Sequence, residues 1–537
     1  LNLLVNIFTE NKSVQVMHQT VREFFLRHNG PLAKSKFSLS NEDTHARVSI
    51  TCLRHLMLCA ANTSMGNKLP SVDSWTSEHF EAYATYLNNR PLMNYTLNHL
   101  RQHLQRCSQL ANVEQLVRHL CEQLSNNPTS LLLESWVESD LIQNIAAQGK
   151  RVVAKDFRNN LLHVATRMQY SQVVEAILTT GVDKDICFHD KTPLMVAANS
   201  GDETTARVLL DQKARIDAEN KNGQTALHFA ASNGHNEMVR LLIQLGAEKE
   251  AKDNLERTAL HFAASHSRDM TVRMLVEIFS INKEAKDGEK RTALHHAASK
   301  GHDSTVELLI KTLKANKEAN DQNQCTALHR AASKGHDSTV ELLIKTFHVN
   351  MDARDQNQCT ALHHAASKGY DSTVELLIKT FNVNKEAKDQ NQCTALHHAV
   401  LNSHDSTTAI LVGTLGANKD AKSNVGFTSL HLAGILGRES TVRILVNFKA
   451  NKEAEDDMNR TALHWAALFG RKRIVELLVK EFGANKEVTD RSGYTALHLA
   501  APLGNKITVR LLVDALQVDT EAKDENGKTA LDIAREL

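Results

Sequence analysis

From about residue 155 to the end of the chain, apolar and polar positions recur with one long period. The stretch from Thr292 to Asp321 shows a single period. Leu294, Ala297 and Ala298 fall on one face at helical spacing, and the two small alanines let a neighbouring helix approach closely. Thr292 stands where it can cap that helix by accepting a backbone N–H. His295 stands three residues on, where a capping-box side chain reaches back. Gly301 can end the helix in a left-handed conformation. Val306, Leu309 and Ile310 then mark the buried face of a second helix. A polar run from Asn316 to Asp321 leads through a turn to the next period.

The tetrad Thr-Ala-Leu-His makes the period explicit. It occurs at Thr225–His228, Thr258–His261, Thr292–His295, Thr326–His329, Thr360–His363, Thr394–His397, Thr461–His464 and Thr495–His498. Variants stand at Asn160–His163, Thr192–Met195, Thr428–His431 and Thr529–Asp532, and successive starts differ by 32 to 34 residues, giving twelve units. A helix, a turn, a helix and an extended loop in about 33 residues resembles the ankyrin repeat. The resemblance implies an all-α ankyrin-repeat solenoid over residues 151–537, with the last repeat incomplete. No such unit buries its apolar face alone, so each depends on its neighbours. Family members usually carry Gly two residues before the Thr. Gly223, Gly426, Gly493 and Gly527 keep it, whereas Gln324, Gln358 and Gln392 replace it. Those loops need a turn that tolerates a side chain, or they carry strain.

Residues 1–150 lack the period and read as a mostly helical segment, with runs at Val48–Cys59 and Tyr95–Leu124 broken by Pro70, Pro91 and Pro128. Within it, VQVMHQTVREFFL (Val14–Leu26) resembles the strand-turn-helix that follows the nucleotide-binding motor in fungal NACHT-type, NOD-like receptor proteins (STAND NTPases). HARVSITCLRHLML (His45–Leu58) and RPLMNYTLNHLRQHL (Arg90–Leu104) resemble the winged-helix and helical region after it. The resemblance implies a recognition arm C-terminal to a signalling motor. The chain opens on Leu1 and stops at Leu537 inside a first helix, so the natural protein is expected to extend at both ends.

Composition narrows the function classes. Lys plus Arg number 63 against 62 Asp plus Glu, which gives no electrostatic reason to expect nucleic acid or an anionic membrane. No run of apolar residues is long enough to span a bilayer, and no signal peptide opens the chain. Eight cysteines without secretory context fit reduced thiols in the cytoplasm, with the nucleus as the other compartment. Cys325, Cys359 and Cys393 recur at one hairpin position, where repeat stacking holds them too far apart for a disulfide. They read as small hairpin residues, with nothing to suggest a depressed thiol pKa.

No catalytic, cofactor or metal site emerges. Gly527-Lys528-Thr529 is the only Gly-Lys-Thr, but Ala522 stands where a phosphate-binding loop needs its first Gly, and the triplet lies in a repeat hairpin. The pairs His295-His296, His363-His364 and His397-His398 invite a metal reading. Adjacent helical side chains diverge by about 100°, and equivalent histidines in successive repeats are too far apart for one ion. The tetrad histidines therefore read as structural, and His18 as a packing or hydrogen-bonding residue.

The most informative contrast lies on the first helices, beside the core face of Leu463, Ala466 and Ala467. In repeats five to seven the adjacent positions are His296, Ser299, Lys300; Arg330, Ser333, Lys334; and His364, Ser367, Lys368. In repeats nine to eleven they become Leu432, Ile435, Leu436; Trp465, Leu468, Phe469; and Leu499, Pro502, Leu503. In ankyrin proteins the last two positions of each triplet line the groove where partners dock. The apolar triplets are the leading partner-binding candidates, with the basic row Lys300, Lys334 and Lys368 next. The alternative is that the apolar residues pack on a neighbouring repeat or a C-terminal cap. The expected function is protein–protein interaction, as the arm of a NACHT-type receptor or as a free-standing scaffold or inhibitor. The expected partners are other proteins, without nucleic acid, membrane insertion or a small-molecule substrate. A third class, an enzyme with its catalytic centre in residues 1–150, lacks any recognisable nucleophile–base pair or metal-ligand spacing.

Overall fold

The computed structural model describes residues 162–163, 165–167, 169, 171–179 and 181–536. The helices expected within 1–150, His18 and the NACHT-like stretches lie outside the described residues. The chain divides into two compact units, residues 1–254 and 255–537. In both, the described residues form helices joined by turns, with one isolated bridge between Phe188 and Lys191 and no sheet.

In the first unit, Pro193–Ser200 pairs with Glu203–Asp211, and Ala226–Asn233 with Asn236–Gln244. In the second unit the same pair recurs from Ala259–Ser265 and Asp269–Glu277 to Ala496–Ala500 and Lys506–Arg510, before a final Ala530–Glu536. The expected core face is fully enclosed. Leu294, Ala297, Ala298, Val306 and Leu309 are buried, as are their counterparts in every repeat from five to eight. Each buried leucine contributes about 2 kcal/mol through area removed from water, and much of that cover comes from the adjoining repeat.

Recurrent capping explains why each first helix starts where it does. Thr292 is extended at φ −93°, ψ 171°, and the reciprocal capping-box arrangement with His295 is present. The helix ends at Gly301, whose φ of 71° is left-handed, as expected.

One expected alternative is met and one feature is new. Gln324, Gln358 and Gln392 take φ of 60°, 61° and 59°, so the hairpin keeps the left-handed turn of the glycine repeats with a side chain in place. The second helices also differ in kind. In the 33-residue repeats starting at Thr192, Thr225 and Thr428 the second helix is α-helical throughout. In the 34-residue repeats starting at Thr292, Thr326, Thr360, Thr394, Thr461 and Thr495 it ends in a π-helical turn, such as Leu308–Thr312, whereas the 34-residue repeat starting at Thr258 keeps an α-helix over Asp269–Glu277 and takes the extra residue after it, with Ile281 N–H donating to Leu275 C=O at 3.0 Å. The closing bond shows where the extra residue goes. Ala450 N–H donates to Leu445 C=O at 2.9 Å, whereas Ala315 N–H donates to Leu309 C=O, one residue further back, also at 2.9 Å. A widened turn absorbs the insertion and leaves the next hairpin in register.

Candidate functional site

Three structural devices surround the candidate surface in the second unit, and each determines how free a side chain there is.

The first is the tetrad histidine. His295 Nδ1 accepts the Thr292 backbone N–H at 3.1 Å and lies 2.9 Å from the Thr292 hydroxyl. Because Nδ1 accepts, Nε2 carries the proton and donates to the Cys325 carbonyl of the next repeat at 3.0 Å. The same inter-repeat bond runs from His329 to Cys359, His363 to Cys393, His397 to Phe427, His431 to Arg460 and His464 to Tyr494. Burial pushes His295, His329, His363 and His397 down to about 4. These are neutral structural imidazoles with both nitrogens engaged.

The second is an aspartate that the sequence reading did not single out. Asp287, Asp321, Asp355, Asp389, Asp456, Asp490 and Asp524 stand five residues before successive tetrads and are all buried. In Asp355, Oδ1 accepts the N–H groups of Asn357 and Cys359, each at 2.8 Å. Its Oδ2 accepts from the first residue of the surface triplet, His364 Nε2, at 2.9 Å. Equivalent bonds join His296 to Asp287, Arg330 to Asp321, His398 to Asp389 and Trp465 Nε1 to Asp456. Burial works against the Asp287 charge, yet hydrogen bonds from His296 and Arg291 hold its carboxyl well below the usual carboxylate range. Where the aspartate is absent, at Ser423, the triplet position is Leu432. A His, Arg or Trp at the first triplet position therefore serves the hairpin before it serves a partner, while in repeat eleven Arg460 takes that place on Asp490 and the position is Leu499. The recurrence of Asp at one offset from each tetrad was the available signal.

The third device is aromatic. Trp465 lies between Phe427 and Phe469, with ring centroids 5.1 Å and 6.1 Å away, and Arg460 sits over its face at 5.3 Å.

These devices sort the expected surface residues. Lys300, Lys334 and Lys368 are exposed. Leu432, Ile435, Leu436, Trp465, Leu468 and Pro502 are half-buried, while Phe469 and Leu503 are 48% and 61% exposed. One expectation needs correction, and one residue carries a constraint. Leu499 is only 7% exposed, so it is a packing residue. Trp465 is a constrained residue, since its indole N–H is committed to Asp456. The structure also adds residues. Val425 and Met458, at the hairpin tips of repeats nine and ten, are 48% and 49% exposed. The matching positions in the middle repeats are Asn323, Asn357 and Asn391. The tips are adjacent along the array, since Asp457 N–H donates to Val425 C=O and Arg491 N–H to Met458 C=O.

The remaining candidates lie in the hairpins. Burial, with Asp321 beside it, pushes the Cys325 thiol up to about 12, and burial likewise raises Cys359 to about 12 and Cys393 to about 11. These cysteines are free thiols. Gly527-Lys528-Thr529 lies in the last hairpin, where Lys528 pairs with Glu536 and the Thr529 hydroxyl donates to Asp532 at 2.8 Å. Among the described residues, no helix is long and apolar enough to cross a membrane.

Tandem helix pairs, capped alike and bonded hairpin to hairpin, define an all-α repeat solenoid. Family models for ankyrin repeats in three copies match residues 107–220, 212–287, 272–355, 338–423 and 410–490, and a model for ankyrin repeats in many copies matches 487–534. The chain belongs to the ankyrin-repeat family, whose repeats mediate protein–protein interaction. It is 39% identical over 66 residues to the mouse and rat proteins described as protein phosphatase 1 regulatory subunit 12A. That match covers 12% of this chain and 6% of each relative, so the chain spans a small fraction of their length. A segment of about two repeats speaks for the repeat itself.

Proposed function

We propose that the chain captures a protein partner on the apolar strip of repeats nine to eleven. One observation carries the reading. At both the hairpin tips and the first helices, positions that are Asn, Ser and Lys in the middle repeats become Val425, Met458, Leu468, Phe469 and Leu503, and four of these five are about half exposed or more. The middle repeats keep the same core with polar residues there, so folding does not require the change. Exposed aromatic and large aliphatic side chains are the usual anchors of an interface. The test is quantitative capture with the full chain and with Leu468→Ser/Phe469→Lys. Proteins retained by the first and lost by the second support the reading. Equal capture by both moves the docking face elsewhere, with Lys300, Lys334 and Lys368 the next surface to change.

The NACHT-like stretches at Val14–Leu26, His45–Leu58 and Arg90–Leu104 support a placement of this array, after a helical segment over 1–150, as the sensing arm of a fungal NACHT-type receptor, in the cytoplasm. A free-standing scaffold or inhibitor is the alternative. A phosphate-binding loop encoded upstream in the same reading frame favours the receptor, and a start codon directly before Leu1 favours the scaffold.

A further inference from the structure

Two hairpins bring together a thiol, a carboxylate and an imidazole that are scattered in the sequence. Cys325 Sγ of repeat six lies 4.0 Å from Asp355 Oδ2, which is 2.9 Å from His364 Nε2. Cys359, Asp389 and His398 repeat the cluster one unit later, and in each cluster the three donor atoms lie within 4.8 Å of one another. We propose that each cluster binds one divalent ion of zinc's class through Cys Sγ, Asp Oδ2 and His Nε2, with water in the fourth position.

The donor set selects the ion. One sulfur, one nitrogen and one oxygen suit zinc or cobalt, whereas calcium and magnesium require shells of oxygen. Around a tetrahedral ion these donors are separated by roughly 3.3–3.5 Å, so displacements of under about 1 Å complete the site. The carboxylate is already oriented, because Asp355 Oδ1 is held by two backbone N–H groups and Oδ2 is left to face the other donors. Cys325 and Asp355 are buried while His364 is partly exposed, which gives the ion an approach from the His364 side. On binding, the thiol gives its proton to solvent and the thiolate sulfur bonds the ion, while the proton that His364 Nε2 shares with Asp355 is exchanged through solvent for one on Nδ1, so that Nε2 offers its lone pair to the ion.

Comparison along the array supports a dedicated site. Elsewhere the same carboxylate is closed by a side chain that leaves no room for a cation: Arg330 on Asp321, and Arg460 on Asp490 at 2.9 Å. Cys393 occupies the same hairpin position as Cys325, but the next repeat supplies Ser423 and Leu432 in place of Asp and His. Among the described residues, only these two clusters bring three such donors together. Each ion would join one repeat to the next, since the cysteine comes from one unit and the other two ligands from its successor.

Cobalt(II), titrated into the metal-stripped full chain, is the probe. Thiolate-to-cobalt charge-transfer absorption and tetrahedral visible bands are expected, reversed by zinc. Cys325→Ser/Cys359→Ser should remove two equivalents of that signal, while Cys393→Ser leaves it unchanged. A spectrum unaffected by the double change, or reduced equally by Cys393→Ser, overturns the proposal. Should the cysteine variants fail to fold, His364→Gln/His398→Gln at partly exposed positions decides it: two equivalents of the bands must be lost with melting of the metal-free chain retained, and undiminished bands overturn the site.

Discussion

His295 donates through Nε2 to the backbone carbonyl of Cys325 at 3.0 Å, so one imidazole both starts its own helix and holds the hairpin of the following repeat. His295→Ala removes the acceptor for Thr292 N–H and the donor to Cys325, leaving two buried groups unsatisfied. A loss of about 2 kcal/mol is expected. Urea unfolding of the full chain checks it, and a midpoint within error of the parent would show that the bond is dispensable.

The same histidines make the array acid-sensitive. His261, His295 and His329 are held at about 4 by burial, against roughly 6.5 when unfolded. Between those values the unfolded chain binds more protons. Stability is therefore complete above about 6.5 and falls as pH drops toward 4, on the order of 1 kcal/mol per histidine per pH unit. Urea midpoints at pH 7, 6 and 5 should decline with increasing steepness. A flat profile would mean that the imidazoles are not buried neutral.

Ser429 occupies the tetrad position that is Ala in most repeats, and its buried hydroxyl has no hydrogen-bond partner among the described residues. Ser429→Ala should stabilise the array by about 1 kcal/mol. A loss of stability on thermal melting would indicate that the hydroxyl holds a bridging water.

Gln324 pays for a left-handed φ of 60° with no compensating side-chain bond found among the described residues. Gln324→Gly should raise the unfolding free energy by about 1 kcal/mol, since glycine adopts that region freely. An unchanged or lower midpoint would place the strain elsewhere.

Leu468, Phe469 and Leu499 separate surface from core. Leu468→Ser/Phe469→Lys should leave melting nearly unchanged, because Phe469 is 48% exposed. Leu499→Ala should lower stability by about 2–3 kcal/mol, as expected of a buried leucine. Reversal of that order would identify Phe469 as part of the packing.

The repeat, its caps and its core were legible because Thr292, His295, Leu294, Ala297 and Gly301 return at fixed offsets, and recurrence carries the signal even where single residues are ambiguous. The hairpin aspartates were not legible in the same way. Asp355 sits in a polar loop that reads as solvated, yet its carboxylate is taken up by the Asn357 and Cys359 N–H groups and His364 of its own repeat and by Cys325 of the repeat before. Leu499 was misassigned for a related reason: its triplet position faces the hairpin, so hydropathy alone does not reveal whether it is covered. The cysteine clusters lay beyond any local pattern, since Cys325 meets His364 only after two repeats have stacked. The π turn left no compositional mark, because an added residue in Leu308–Thr312 changes length and not character.

That widened turn bears on how such a gene can vary. An extra codon at the end of a second helix is taken up within a single turn, and everything downstream keeps its phase. The same insertion between Asp355 and Thr360 would pull the carboxylate away from Cys359, His364 and the preceding strand of hairpin contacts at once. Each repeat thus contains one place where an insertion or deletion of a single codon passes unnoticed, and a hairpin a few residues later where it does not. Natural length variants of this array should accumulate at the first and be missing from the second.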